Sequence, residues 1–182
     1  MTPFFTGKGD SGETGYLGEG RISKDSVRIE AVGSVDEANA ALGFARAMSE
    51  VEEIQQIIFQ VQKKLYELMS ELSADVETAD QFDKITEQDI KWLETQIDRL
   101  EQSVAMPREF IVPGGSPAGG ALAVSRTVVR RAERRAIALF NVDGIKKKIL
   151  IVYLNRLSSL LFILEVYEAS HSGRGVRLVK EE

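Results

Sequence analysis

The last third of the chain constrains the fold most. From about Ile145 to Ser170 the sequence is apolar on almost every side, interrupted in its middle by the polar residues Asn155, Arg156, Ser158 and Ser159. A helix with one apolar stripe lies on a surface, whereas a helix that is apolar all round has to be enclosed. At 1.5 Å per residue the segment would be roughly 39 Å long. It predicts a central helix wrapped by others, and therefore an all-α protein.

Other segments supply the wrapping. Ser34-Val35-Asp36-Glu37 has the form of a capping box and predicts a helix from there to about Met48. Ser49-Glu50-Val51-Glu52 repeats that form ahead of Ile54, Ile57, Ile58, Val61, Leu65, Leu68, Met69 and Leu72, which share one helical stripe. Thr86-Glu87-Gln88-Asp89 does the same ahead of Ile90, Leu93, Ile97 and Leu100. Ser116 precedes Pro117, which suits the first position of a helix reaching about Phe140. Asn141 to Gly144 reads as a turn, and Gly173 is available beyond the final helix. Five helices with short connections predict a five-helix up-down bundle. The expected layout is a single domain over 1–182, with an ordered glycine-rich N-terminal loop (1–33), the bundle (34–172) and a tail (173–182).

Charge and cysteine content narrow the function. A net charge of −5 disfavours a nucleic-acid partner. With no cysteine there is no disulfide, no thiolate metal site and no thiol nucleophile, which fits a reducing cytoplasm. Met1-Thr2-Pro3-Phe4-Phe5 lacks the pattern of a signal peptide. Apolar runs such as Ile149–Leu154 are too short to span a bilayer, so no membrane partner is expected.

Three features can carry chemistry. In Thr6-Gly7-Lys8-Gly9-Asp10-Ser11-Gly12-Glu13-Thr14-Gly15, glycines allow close backbone approach to a phosphate, and Lys8 and Lys24 add positive charge. The dinucleotide fingerprint is rejected because no βαβ pattern surrounds it, and the P-loop pattern fails at Glu13. A flexible glycine-rich terminus is the plain alternative. Second, Arg126, Arg130, Arg131, Arg134 and Arg135 crowd one helix around Glu133. Arg126, Arg130 and Arg134 are spaced by four and share a face, and guanidinium forks match phosphate oxygens. A solvated face, or ion pairs with neighbouring acidic residues, would explain them equally. Third, Asn155 and Arg156 interrupt the central helix, either as part of a site or as a hydrogen-bond network inside the bundle. Asp36 is either a helix-start carboxylate or the partner of an arginine on that helix. His171 is the only histidine, which excludes a ferritin-like di-metal centre, and no metal-ligating set is expected.

Together, Thr6–Ala47, Phe110–Ala138 and Tyr153–Glu168, with PGGSP, RRAERR and LNRLS inside them, resemble the PduO-type ATP:cob(I)alamin adenosyltransferases. The resemblance implies a homotrimer with active sites between subunits. It implies transfer of the 5′-deoxyadenosyl group of ATP to the cobalt of cob(I)alamin, with triphosphate leaving, magnesium assisting and adenosylcobalamin as product. By the same resemblance, Thr6, Gly7, Lys8, Gly9, Thr14, Gly15 and Lys24 form the ATP loop. Arg130, Arg131, Glu133, Arg134 and Asn155 meet the nucleotide. Asp36 pairs with Arg130 across the interface, and Phe110 lies under the corrin. A reductase or an adenosylcobalamin-dependent enzyme would be its protein partner. A non-catalytic ATP- or corrinoid-binding module on the same scaffold is the alternative. The family pattern is broken at Gly7, where a basic residue is usual; at Ser159, where an aspartate is usual; and at Gly119-Gly120, in a turn usually richer in helix formers.

Overall fold

The computed structural model describes residues 5–143 and 147–180, without the Asp143 side chain. Its helices are α1 (Val27–Met48), α2 (Glu52–Ser73), α3 (Glu87–Glu101), α4 (Pro117–Asp143) and α5 (Lys148–His171). A short 3₁₀ turn, Ala79–Phe82, lies between α2 and α3. Two minimal antiparallel pairs complete it: β1 (Glu13–Thr14) with β2 (Ile22–Ser23), and β3 (Ile111–Val112) with β4 (Arg177–Leu178).

The helices alternate up and down, but their lateral neighbours are not all sequential. α1 packs on α2 and α4, and α5 packs on α4 and α3. Small residues allow the close α1–α4 approach: Ala31, Ala38 and Ala45 on α1, and Ala132 and Ala136 on α4, are buried. α5 is the enclosed helix that its composition predicts, with Leu150, Tyr153, Leu154, Leu157, Leu160, Leu161 and Leu164 essentially without solvent contact. By length and composition α5 could cross a membrane, contrary to the expectation drawn from its shorter apolar runs. Its apolar surface is instead taken up by the bundle, and most of its most apolar window is buried core.

Four helix starts test the capping logic. At α3 the box forms: the Thr86 side chain and Asp89 satisfy each other's backbone N–H. At α4, Ser116 Oγ accepts from the Gly119 N–H at 2.9 Å, with Pro117 first in the helix. At α1 the expectation fails. The helix begins at Val27, capped by Ser26 Oγ accepting from Ile29 N–H at 3.3 Å. Ser34 is a buried mid-helix residue and Asp36 is exposed on the body of α1, not in its first turn. The Val27–Ala31 run sustains a helix, and Gly33 is a tolerable interior weakness of about 1 kcal/mol. At α2 the Ser49 box also fails. Ser49 ends α1, its N–H donating to the Ala45 carbonyl, and the N-cap is Val51 without side-chain capping.

The C-terminal segment is not a loose tail through residue 180. Gly173 and Gly175 adopt positive φ (67° and 65°), turning the chain back so that β4 pairs with β3 and Val179 N–H donates to the Phe110 carbonyl at 2.9 Å. The expected turn at Asn141–Asp143 is the last part of α4. Gly144 and the expected helix start at Ile145 lie outside the described residues.

Candidate functional site

α4 sorts its arginines by their angular position, about 100° per residue. Arg131 and Arg135 turn towards α1, where Arg131 pairs with Glu37 and Arg135 Nε lies 3.0 Å from Glu30 Oε1. Glu133 turns the other way, towards α5, and its Oε1 accepts from Asn155 Nδ2 at 3.1 Å. Between those flanks Arg130 and Arg134 project outward and are exposed. The Arg134 guanidinium donates to the Arg130 carbonyl at 2.9 Å, and among the described residues neither arginine meets a carboxylate. So the ion-pair alternative accounts for two arginines and leaves an unneutralised pair beside a Glu–Asn contact.

Arg126 stands apart. Its Nε is buried without a hydrogen-bond partner, and the facing Glu165 of α5 has a buried, unpartnered Oε2. Burial pushes the Glu165 carboxyl above its ordinary value, against the pull of Arg126.

The N-terminal segment folds on itself. Gly7 and Gly12 take positive φ (67° and 85°), and turns close from Asp10 N–H to Gly7 O and from Gly12 N–H to Gly9 O. Lys24 Nζ donates to Gly9 O at 2.7 Å, and Arg21 donates to Lys8 O and Glu13 O at 2.9 and 2.7 Å. Cations therefore hold the carbonyls of the loop. Among the described residues the N–H groups of Gly9 and Ser11 donate to no acceptor. Thr6 Oγ1 accepts weakly from Lys8 N–H, and Thr14 and Gly9 are half-buried while Thr6, Gly7, Lys8, Gly15 and Lys24 are exposed. The segment is moored to the end of α2, where Leu17 bridges Ala74 and its N–H donates to Ser73 Oγ. A Cβ at Gly18 would lie 2.2 Å from Asp75 Oδ2, so a larger residue there would have to displace the Asp75 and Tyr16 side chains.

Phe110 sits at the other end of the bundle, 87% exposed, on a backbone fixed by β3 and β4. One chain thus separates the loop from Phe110 by the length of α1, roughly 33 Å. Among the described residues no hydrogen bond or ion pair joins the loop to Arg130 or Arg134, and Asp36 has no partner. Among the described residues, contacts join Glu133 to Asn155, Arg134 to Arg130 and Lys24 to Gly9, but none of these groups to another.

The family model for cobalamin adenosyltransferase matches residues 4–168. The chain belongs to that family. It is 37% identical over 175 residues to the corrinoid adenosyltransferase of Bacillus subtilis, covering 94% of this chain and 89% of that protein. It is 36% identical over 173 residues to the Mycobacterium leprae corrinoid adenosyltransferase, covering 90% of each. A phenylalanine-to-alanine variant of the PduO-type ATP:corrinoid adenosyltransferase from Lactobacillus reuteri, solved with cobalamin and ATP, superposes with a TM-score of 0.92 at 28% identity, over 98% of this chain and 100% of that one. An arginine-to-lysine variant of the same enzyme, solved with ATP, gives 0.90 at 28% identity, over 97% and 100%.

Within that family frame the departures acquire local reasons. Gly119 keeps room for a buried contact: a Cβ there would come 3.1 Å from Ser116 Oγ and 3.4 Å from Glu168 Oε2, which share a 2.5 Å hydrogen bond. Ser159 is exposed and reaches only the Asn155 carbonyl, at 3.5 Å. Glu30, Glu37 and Glu94 escaped the sequence reading as partners of Arg135, Arg131 and Arg156. Glu37 was legible only as a capping residue, and nothing local marks a carboxylate as the partner of a residue 62 or 94 positions away.

Proposed function

We propose that this transferase moves the 5′-deoxyadenosyl group of ATP to the cobalt of a reduced corrinoid, releasing triphosphate. The observation that carries the reading is the outward pair Arg130 and Arg134, unneutralised beside Glu133–Asn155, on a chain of this family. In the step, the Co(I) electron pair forms a bond to C5′. The C5′–O bond breaks and its pair leaves with triphosphate. Cobalt is the nucleophile, so the protein has to align C5′ and offset charge on the leaving group. Arg130 and Arg134 suit the second task, and the free N–H groups of Gly9 and Ser11 suit a phosphate oxygen. Magnesium, when bound to polyphosphate, needs few protein oxygens. Glu133 fits it, with Oε1 held by Asn155 and the second oxygen without a partner among the described residues. The ion would offset phosphate charge.

We further infer a homotrimer with sites between subunits. The separation of loop, arginine pair and Phe110 along one chain supports this, because a neighbour's surface can close the gap. Asp36, exposed and without a partner among the described residues, is then free to meet a neighbour's Arg130. Sedimentation should give three times the 20.2 kDa chain. A monomer that turns over would refute it. A cytoplasmic location suits a cysteine-free chain that consumes ATP and a reduced metal, and a reductase or a user of the product would be its protein partner there.

The deciding assay mixes protein, ATP, magnesium and chemically reduced cobalamin, and follows the visible spectrum. Formation of a light-sensitive carbon–cobalt bond supports the reading. Binding of ATP or corrinoid without that bond would make the chain a non-catalytic module.

A further inference from the structure

A chain of hydrogen bonds runs from the nucleotide face to the far side of the bundle. Glu133 Oε1 accepts from Asn155 Nδ2 at 3.1 Å. Asn155 Oδ1 accepts from an Arg156 guanidinium nitrogen at 3.1 Å, and Arg156 Nε donates to Glu94 Oε1 of α3 at 2.8 Å. The order of charges leaves the Asn155 amide one orientation. Flipped, it would turn its oxygen on the Glu133 carboxylate and its NH₂ on a guanidinium, two repulsive contacts in place of two hydrogen bonds. Arg156 therefore sets the amide, and its planar fork does so only while the guanidinium stays put. α5 alone does not hold it, because the Arg156 side chain is about two-fifths exposed. The remaining anchor is Glu94.

We propose that Glu94, on a helix bearing none of the residues assigned to ATP or corrinoid, is a positioning residue for ATP. It acts through Arg156 to keep the Asn155 amide nitrogen towards Glu133 and the nucleotide. This rests on the reading of Asn155 as a nucleotide contact. The Glu94–Arg156 pair adds little to the fold, since half-exposed ion pairs contribute almost nothing measurable. That separates a positioning role from a structural one.

The test is steady-state adenosylation by the intact enzyme with Glu94→Ala, Glu94→Gln, Arg156→Lys, the double variant Glu94→Ala/Arg156→Lys and Asn155→Ala. Glu94→Ala should raise KM for ATP about two- to fivefold, the most that a half-exposed ion pair can transmit. KM for the corrinoid should stay within about twofold, and Tm within about 3 °C. Glu94→Gln keeps an acceptor for Arg156 Nε and should recover most of the ATP affinity. Lysine cannot bridge two acceptors in the guanidinium geometry, so Glu94→Ala should add nothing in the Arg156→Lys background. An unchanged KM for ATP in Glu94→Ala while Asn155→Ala raises it overturns the relay alone. Multiplicative effects in the double variant also overturn it. An unchanged KM in Asn155→Ala overturns the nucleotide reading and the relay together.

Discussion

Arg134→Ala separates a phosphate-binding arginine from a structural one. In the folded chain Arg134 has one hydrogen bond, to a carbonyl of its own helix, and no carboxylate partner among the described residues. Its removal should cost the fold no more than about 0.5 kcal/mol, as for surface substitutions away from special features. If the guanidinium meets the departing triphosphate, the variant loses at least one charged hydrogen bond, about 1.5–3 kcal/mol. At 1.4 kcal/mol per decade, kcat/KM for ATP should fall by about tenfold to about 150-fold. Arg135→Ala is the internal control, one residue along, with a charge already matched by Glu30 at 3.0 Å. It should change kcat/KM less than about threefold, in line with the small worth of an exposed pair. The assay is the spectral one, at saturating reduced cobalamin and varied ATP, with Tm measured on both variants. Equal losses in the two variants would mean that the helix responds to net charge and not to a directed contact. An unchanged Arg134→Ala would remove Arg134 from the site.

Two further outcomes follow from the same geometry. Phe110→Ala deletes a ring that is 87% exposed, so stability should hold within about 0.5 kcal/mol while corrinoid reduction or adenosylation slows and calorimetric ATP binding survives; equal loss of both would indicate a folding defect. Glu165→Gln should raise Tm more at pH 8 than near pH 4, because burial makes the folded chain hold this proton to higher pH than the unfolded chain does, so the folded state loses stability as pH rises past the ordinary carboxylate range; a Tm difference that ignores pH would refute this.

What the sequence revealed divides along a physical line. Whatever depends on neighbours within one or two helical turns was readable: the enclosed α5, the Thr86–Asp89 box, Ser116 before Pro117, and the crowding of arginines on α4. Helix starts were readable only where a single candidate stood. Ser34 reads as a start because an acid follows three residues on, yet the structure caps α1 at Ser26, since helix-forming residues between the two leave no reason to stop. What depends on lateral packing was not readable at all. The order α2–α1–α4–α5–α3 across the bundle brings Glu30 and Glu37 against Arg135 and Arg131, and Glu94 against Arg156. That packing decides which cations are spent on ion pairs and which remain to meet an anion. An arginine cluster in sequence therefore overstates its own site: pairing with α1 takes Arg131 and Arg135, burial beside Glu165 sets Arg126 apart, and the function rests on the outward two, Arg130 and Arg134.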